Sequence, residues 1–121
     1  MQFGRYLHER GWNGLYAPVD AVLDGTDLEN WNPPRADYFV AIEVVEHIHD
    51  PWALIISMTN AARNSVVLTT PNSEVIDVIT CDPTHVSIVP ALELWDMGYT
   101  VTKHSWFGKP EDSLLAWKSK S

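Results

Sequence analysis

The chain has 121 residues, 45% hydrophobic and 11% aromatic, which is enough apolar side chain for one buried core and too much for a disordered segment. Sixteen acidic against eight basic residues give a formal charge of -8, which argues against a broad basic surface that would hold nucleic acid without sequence preference. Cys81 is the one cysteine, so no internal disulfide forms; no secretory leader and no bilayer-length apolar run is visible, and one domain over residues 1–121 in a cytoplasmic setting is expected.

The elements follow in chain order. Residues 2–11, QFGRYLHERG, place Phe3, Tyr6 and Leu7 at helical intervals and end on Gly11, predicting a short helix with a glycine cap. Residues 14–20, GLYAPVD, read as a short strand ending in an acid, with Pro18 removing one ladder donor. Residues 24–34, DGTDLENWNPP, form a polar, turn-rich loop. An apolar run of strand length, DYFVAIEV, covers residues 37–44, and Asp50 with Pro51 then supply the cap and first-turn proline of a helix over residues 51–63. Residues 64–72, NSVVLTTPN, are a second buried-type strand. After an irregular stretch over residues 73–89, PALELWDMG predicts a helix over residues 90–98. Finally YTVTKHSWF and SLLAWKS, joined by GKPED, predict an antiparallel pair. Strands alternating with helices before a closing hairpin give an α/β domain with a mostly parallel sheet, whose ligands sit at the carboxyl ends of the strands. Asp20, Glu43 and Pro71 fall on that rim.

The carboxylates and histidines of VAIEVVEHIHDP, residues 40–51, crowd the same place. Glu43, Glu46 and His47 stand in an i, i+3, i+4 relation that puts them on one face of a turn, and His85 in DPTHV offers a further imidazole. Two carboxylates and imidazoles suit magnesium, manganese or zinc. The competing reading makes Glu43 and Glu46 solvated rim residues, with His47 packed in a turn and His85 a hydrogen-bonded loop residue. As a catalytic pair, His47 and His85 would need to reach an acceptor hydroxyl. Cys81 has no basic neighbour in sequence that would make it a nucleophile. Lysines gather only thinly, at Lys103, Lys109, Lys118 and Lys120.

The segments ADYFVAIEVVEHIHDPWALI, SVVLTTPN and DPTHVSIVPALELWDMGYTV resemble, in order and spacing, the later two thirds of class I S-adenosylmethionine-dependent methyltransferases with a Glu-Val-x-Glu-His signature. The resemblance implies that the strand before EHI is the fourth of that sheet, the strand ending TTPN the fifth, and the closing hairpin the antiparallel seventh and sixth. It implies cofactor contacts from Asp20 to the ribose hydroxyls, from Asp27 and Leu28 to the adenine, and from Glu43 to the methionine part. Some RNA 3′-end 2′-O-methyltransferases hold a divalent metal with such a Glu-x-x-Glu-His set and a later histidine, which here implicates Glu43, Glu46, His47 and His85; some quinone-pathway O-methyltransferases share the signature. The chain departs from the pattern at its start: the predicted first helix begins at residue 2, and Gly4, Gly11 and Gly14 follow no strand, so the first strand and its Asp/Glu-x-Gly-x-Gly loop are missing.

The expected fold is therefore α/β, a truncated Rossmann-like methyltransferase sheet with a C-terminal antiparallel hairpin. The expected function is methyl transfer from S-adenosylmethionine to an oxygen or nitrogen of a small molecule or RNA terminus. The alternative is a catalytically inactive methyltransferase-like module acting through oligomerisation or partner binding. An incomplete sheet leaves a strand edge open, so a homo-oligomer is expected, with no membrane association.

Overall fold

The structure is a computed structural model that describes residues 2–12, 14, 15, 17, 19 and 27–120. Its elements are a helix α1 (Gln2–Glu9), a 3-10 turn (Leu28–Asn30), strand β1 (Ala36–Ile42), a second 3-10 turn (Val45–His47), helix α2 (Pro51–Ala61), strand β2 (Ala62–Pro71), a one-turn helix α3 (Val78–Cys81), helix α4 (Ala91–Asp96), and strands β3 (Thr100–His104) and β4 (Ser113–Ser119).

The β-branched and aromatic side chains of ADYFVAI favour an extended chain, and the strand buries Phe39 and Ala41 while leaving Tyr38, Val40 and Ile42 exposed. A parallel neighbour needs a crossover, which α2 supplies. Asp50 accepts a hydrogen bond from Ala53 N at 3.1 Å and Pro51 fills the first turn, so α2 starts where Asp50-Pro51 predicts. Leu54, Ile55, Met58 and Ala61 form its buried stripe; Ile55 is wholly buried, and each such aliphatic side chain contributes roughly 1.5–3 kcal/mol. The chain enters β2 directly from α2, two residues before the sequence pattern places it.

The sheet order is β1-β2-β4-β3. β1 and β2 are parallel, with Phe39 opposite Val66 and Ala41 opposite Leu68. β4 runs antiparallel to both β2 and β3, placing Leu68 opposite Ala116 and Ala116 opposite Val101. Three strands thus share one direction, but only one of the three pairings is parallel, because the hairpin inserts its second strand between β2 and β3. One apolar cluster joins these residues to Val45, Ile48, Leu94 and Tyr99.

Helix α4 ends at Gly98, whose φ of 89° favours glycine, and the ammonium of Lys118 caps the helix by donating to Met97 O at 2.9 Å. Of the strand expected over residues 14–20, residues 16, 18 and 20 lie outside the described residues, and residues 14, 15, 17 and 19 belong to no strand. No helix of the described residues is long and apolar enough to cross a membrane.

Candidate functional site

β1 stops at Ile42 because Glu43 takes a left-handed conformation, φ 54°, which costs an L residue about 1–2 kcal/mol. The turn is held from β2: Glu43 N donates to Thr69 O and to Thr69 Oγ1, both at 3.1 Å, and the Thr69 hydroxyl donates to Glu43 Oε1 at 3.4 Å. The reversal throws the chain into the 3-10 turn Val45–His47, and this turn, not a continuous helical face, positions Glu46 and His47.

Glu46 is 1% exposed. Its Oε1 accepts the Thr70 hydroxyl at 3.1 Å, while Oε2 is buried with no hydrogen-bond partner, alone in this among the buried side-chain oxygens and nitrogens of the described residues. Such an atom costs about 1–3 kcal/mol unless something unseen pairs with it. His47 Nε2 lies 3.8 Å away.

The two histidines are fixed in tautomer by their backbone partners. His47 Nδ1 lies 3.1 Å from Thr84 O, and His85 Nδ1 lies 2.7 Å from Val78 O. A carbonyl only accepts, so each Nδ1 carries the proton and each Nε2 keeps a free lone pair. The rings meet edge to face with centroids 4.8 Å apart. Glu46, His47 and His85 each offer a ligand atom within 4.8 Å of the others. A carbonyl behind each ligating imidazole is the usual support of a metal site.

Glu43 lies beside this group and outside it. Burial, then a hydrogen bond and charge repulsion from Glu46, push its carboxyl up to about 8, against the opposing pull of Thr69 and His85. At neutral pH the Glu43 carboxyl therefore keeps its proton.

These residues open onto a cleft of about 430 Å³ at the carboxyl ends of β1 and β2, whose far wall is Phe107, Lys109 and Asp112 from the hairpin. Asp112 is 1% exposed and accepts from Trp106 N, Phe107 N and Lys109 N, each at 3.0 Å. Burial works against its ionised form, but these donors and the Ser113 hydroxyl outweigh it and hold the carboxyl below its usual range. Asn72, at the end of β2, ties the hairpin to the rim by donating from its backbone N to Asp112 O at 2.9 Å and from Nδ2 to Glu111 O at 2.8 Å.

Of the residues implied for a cofactor, Asp20 lies outside the described residues. Asp27 caps the turn Leu28–Asn30: one carboxylate oxygen accepts from Glu29 N at 3.0 Å and the other from Asn30 Nδ2 at 2.9 Å. Leu28 packs against the core. Glu29, a residue the sequence reading passed over, accepts from His49 N and Asp50 N and pairs with His49 Nδ1 at 2.8 Å, so loop 27–30 is fastened to the start of α2. Those bonds, the His49 amide first, hold Glu29 below its ordinary value.

The sequence spacing signals Glu46, His47 and His85. The carbonyls that orient the histidines and the Asp112 anchor come from distant segments and carry no local signature; an acid closing a turn is the only hint of Asp112. Cys81, without a basic neighbour in sequence, has its thiol 3.5 Å from His85 Nδ1 and also donates to Val78 O. No family model matches the chain, and no curated protein matches it.

Proposed function

We propose that the chain holds one divalent cation through Glu46, His47 and His85 and serves as the acceptor side of a class I methyltransferase-like site. The observation that carries the reading is Glu46 Oε2: a buried carboxylate oxygen without a partner, beside two imidazoles whose free nitrogens are set by backbone carbonyls. Metal bonds of about 2.0–2.1 Å in a tetrahedral site place neighbouring donors roughly 3.4 Å apart, close to the 3.8 Å between Glu46 Oε2 and His47 Nε2. Two imidazoles and one carboxylate favour manganese or zinc over magnesium, which prefers oxygen ligands.

Such an ion, when bound, polarises an oxygen ligand and lowers the pKa of its hydroxyl. The protein's own part is positional. Thr70 holds Glu46 through Oε1 and leaves Oε2 to the ion, while Thr84 and Val78 hold the imidazoles. Methyl transfer as the reaction rests on the resemblance of the sequence, and the observed order β1-β2-β4-β3 supports it, since it follows the fourth, fifth, seventh and sixth strands of the resembled sheet. The donor side does not close on the described residues: both Asp27 oxygens already serve the turn, so an adenine amine would compete with that cap.

That observation favours a second reading, a methyltransferase-like module without activity that self-associates. The outer edge of β1 has no strand beside it among the described residues, and Tyr38, Val40 and Ile42 are exposed on the face of this strand opposite Phe39 and Ala41. Calorimetry of the manganese-loaded chain with S-adenosylhomocysteine separates the two. Saturable heat supports the transferase; no heat, with a dimer in sedimentation, supports the module.

A further inference from the structure

The wall facing the proposed ion is built as firmly as the ligand set, and nothing in the metal reading uses it. Asp112 gathers the backbone amides of Trp106, Phe107 and Lys109 and Asn72 bolts that hairpin to β2, so the tip is fixed before any ligand arrives. It presents two side chains to the cleft. Phe107 is 64% exposed and lines the cleft, with no aromatic partner among the described residues. The Lys109 ammonium makes no hydrogen bond or ion pair among the described residues. Neither is needed for folding at such exposure, and both lie across one cleft from Glu46, His47 and His85.

Charge decides what this wall selects. Without an ion the cleft is lined by Glu46, Asp82 and Asp112, with Glu43 protonated, against the single ammonium of Lys109, and an anion is repelled. A bound divalent cation cancels the carboxylate charge that Thr70 and the backbone leave unspent. Lys109 is then the residual charge, next to a flat apolar ring.

We propose that the hairpin tip selects the acceptor, and that the acceptor is a ring-bearing anion: the ring lies against Phe107 and a carboxylate or phosphate on it meets Lys109. This rests on the metal reading above. Ligand binding is accordingly ordered, with the ion first.

The test uses the full chain loaded with manganese chloride and follows broadening of probe ring protons by the ion, with calorimetry for affinity. The probes are phenyl phosphate, benzoate, neutral benzamide and inorganic phosphate. Phenyl phosphate or benzoate should bind at least tenfold tighter than benzamide and than inorganic phosphate, and only with manganese present. Whichever of the two binds tighter identifies the anionic group. K109M should abolish the advantage of the anions and leave benzamide unchanged; F107A should weaken every ring probe and spare inorganic phosphate. Both variants should bind manganese as the wild type does, which shows that they fold. If manganese binds but inorganic phosphate matches phenyl phosphate, or K109M changes nothing, this inference is overturned and the metal site stands. If manganese does not bind, both fall.

Discussion

Replacing Glu46 by glutamine separates what this residue does for folding from what it does for a ligand. In the metal-free chain Glu46 is a cost. Its Oε2 is buried without a hydrogen bond, and the neighbouring Glu43 interacts unfavourably with its charge. E46Q keeps Oε1 as the acceptor for Thr70 and puts an N–H donor where the unpaired oxygen was. Removing an unsatisfied buried acceptor recovers part of about 1–3 kcal/mol, so a gain of roughly 1 kcal/mol is expected, equivalent to about 4 °C in Tm for a domain of this size. Manganese at a hundred times its Kd should stabilise the wild type by about 2.7 kcal/mol and E46Q by no more than about 1.4 kcal/mol. The assay is thermal or urea unfolding of both proteins, in EDTA and in manganese. Their order of stability should invert between the two buffers. An E46Q protein less stable than wild type in EDTA would mean that Glu46 already has its partner within the fold, and the reasoning would fail.

Three further outcomes follow from the same geometry. Glu29 is held below its ordinary value of 4.5 by the His49 amide and ring and the Asp50 amide; its stabilisation is present above that value and is lost as pH falls through the depressed one. Urea midpoints measured from pH 6 downward should therefore drop more steeply for wild type than for E29Q. Leu68 is fully buried at the centre of the sheet, so L68A should lose about 3 kcal/mol in urea unfolding, with a loss under 1 kcal/mol contradicting its place in the core. Glu43 carries a positive φ, and E43G should raise stability by roughly 1 kcal/mol through relief of that strain and of the buried carboxyl; a destabilised E43G would show that the Thr69 contact to its side chain matters more.

The strands and α2 were legible because their signals are local. An apolar run of strand length, an Asp-Pro start and a hairpin turn each act within a few residues, and β1, α2 and β4 lie where those signals put them. The boundaries moved where long-range contacts decide. Thr69 holds Glu43 in the turn that ends β1, and β2 takes over at Ala62 because its backbone already pairs with β1 at Ala36. The site was half legible for the same reason. Spacing brought Glu46 and His47 together and named His85, yet it grouped Glu43 with them on one face of a turn. At its left-handed turn Glu43 instead reaches Thr69 and presses on Glu46. The hairpin wall was invisible, since Asp112 matters through amides of Trp106, Phe107 and Lys109 and through Asn72, 40 positions away.

The most direct test of the metal site is calorimetric titration of manganese into the EDTA-stripped, dialysed full chain, alongside E46Q, H47A and H85A. One ion should bind per wild-type chain, and each substitution should weaken it by at least tenfold. Absence of binding to the wild type, or binding that H85A and E46Q leave intact, would contradict the site built from Glu46, His47 and His85.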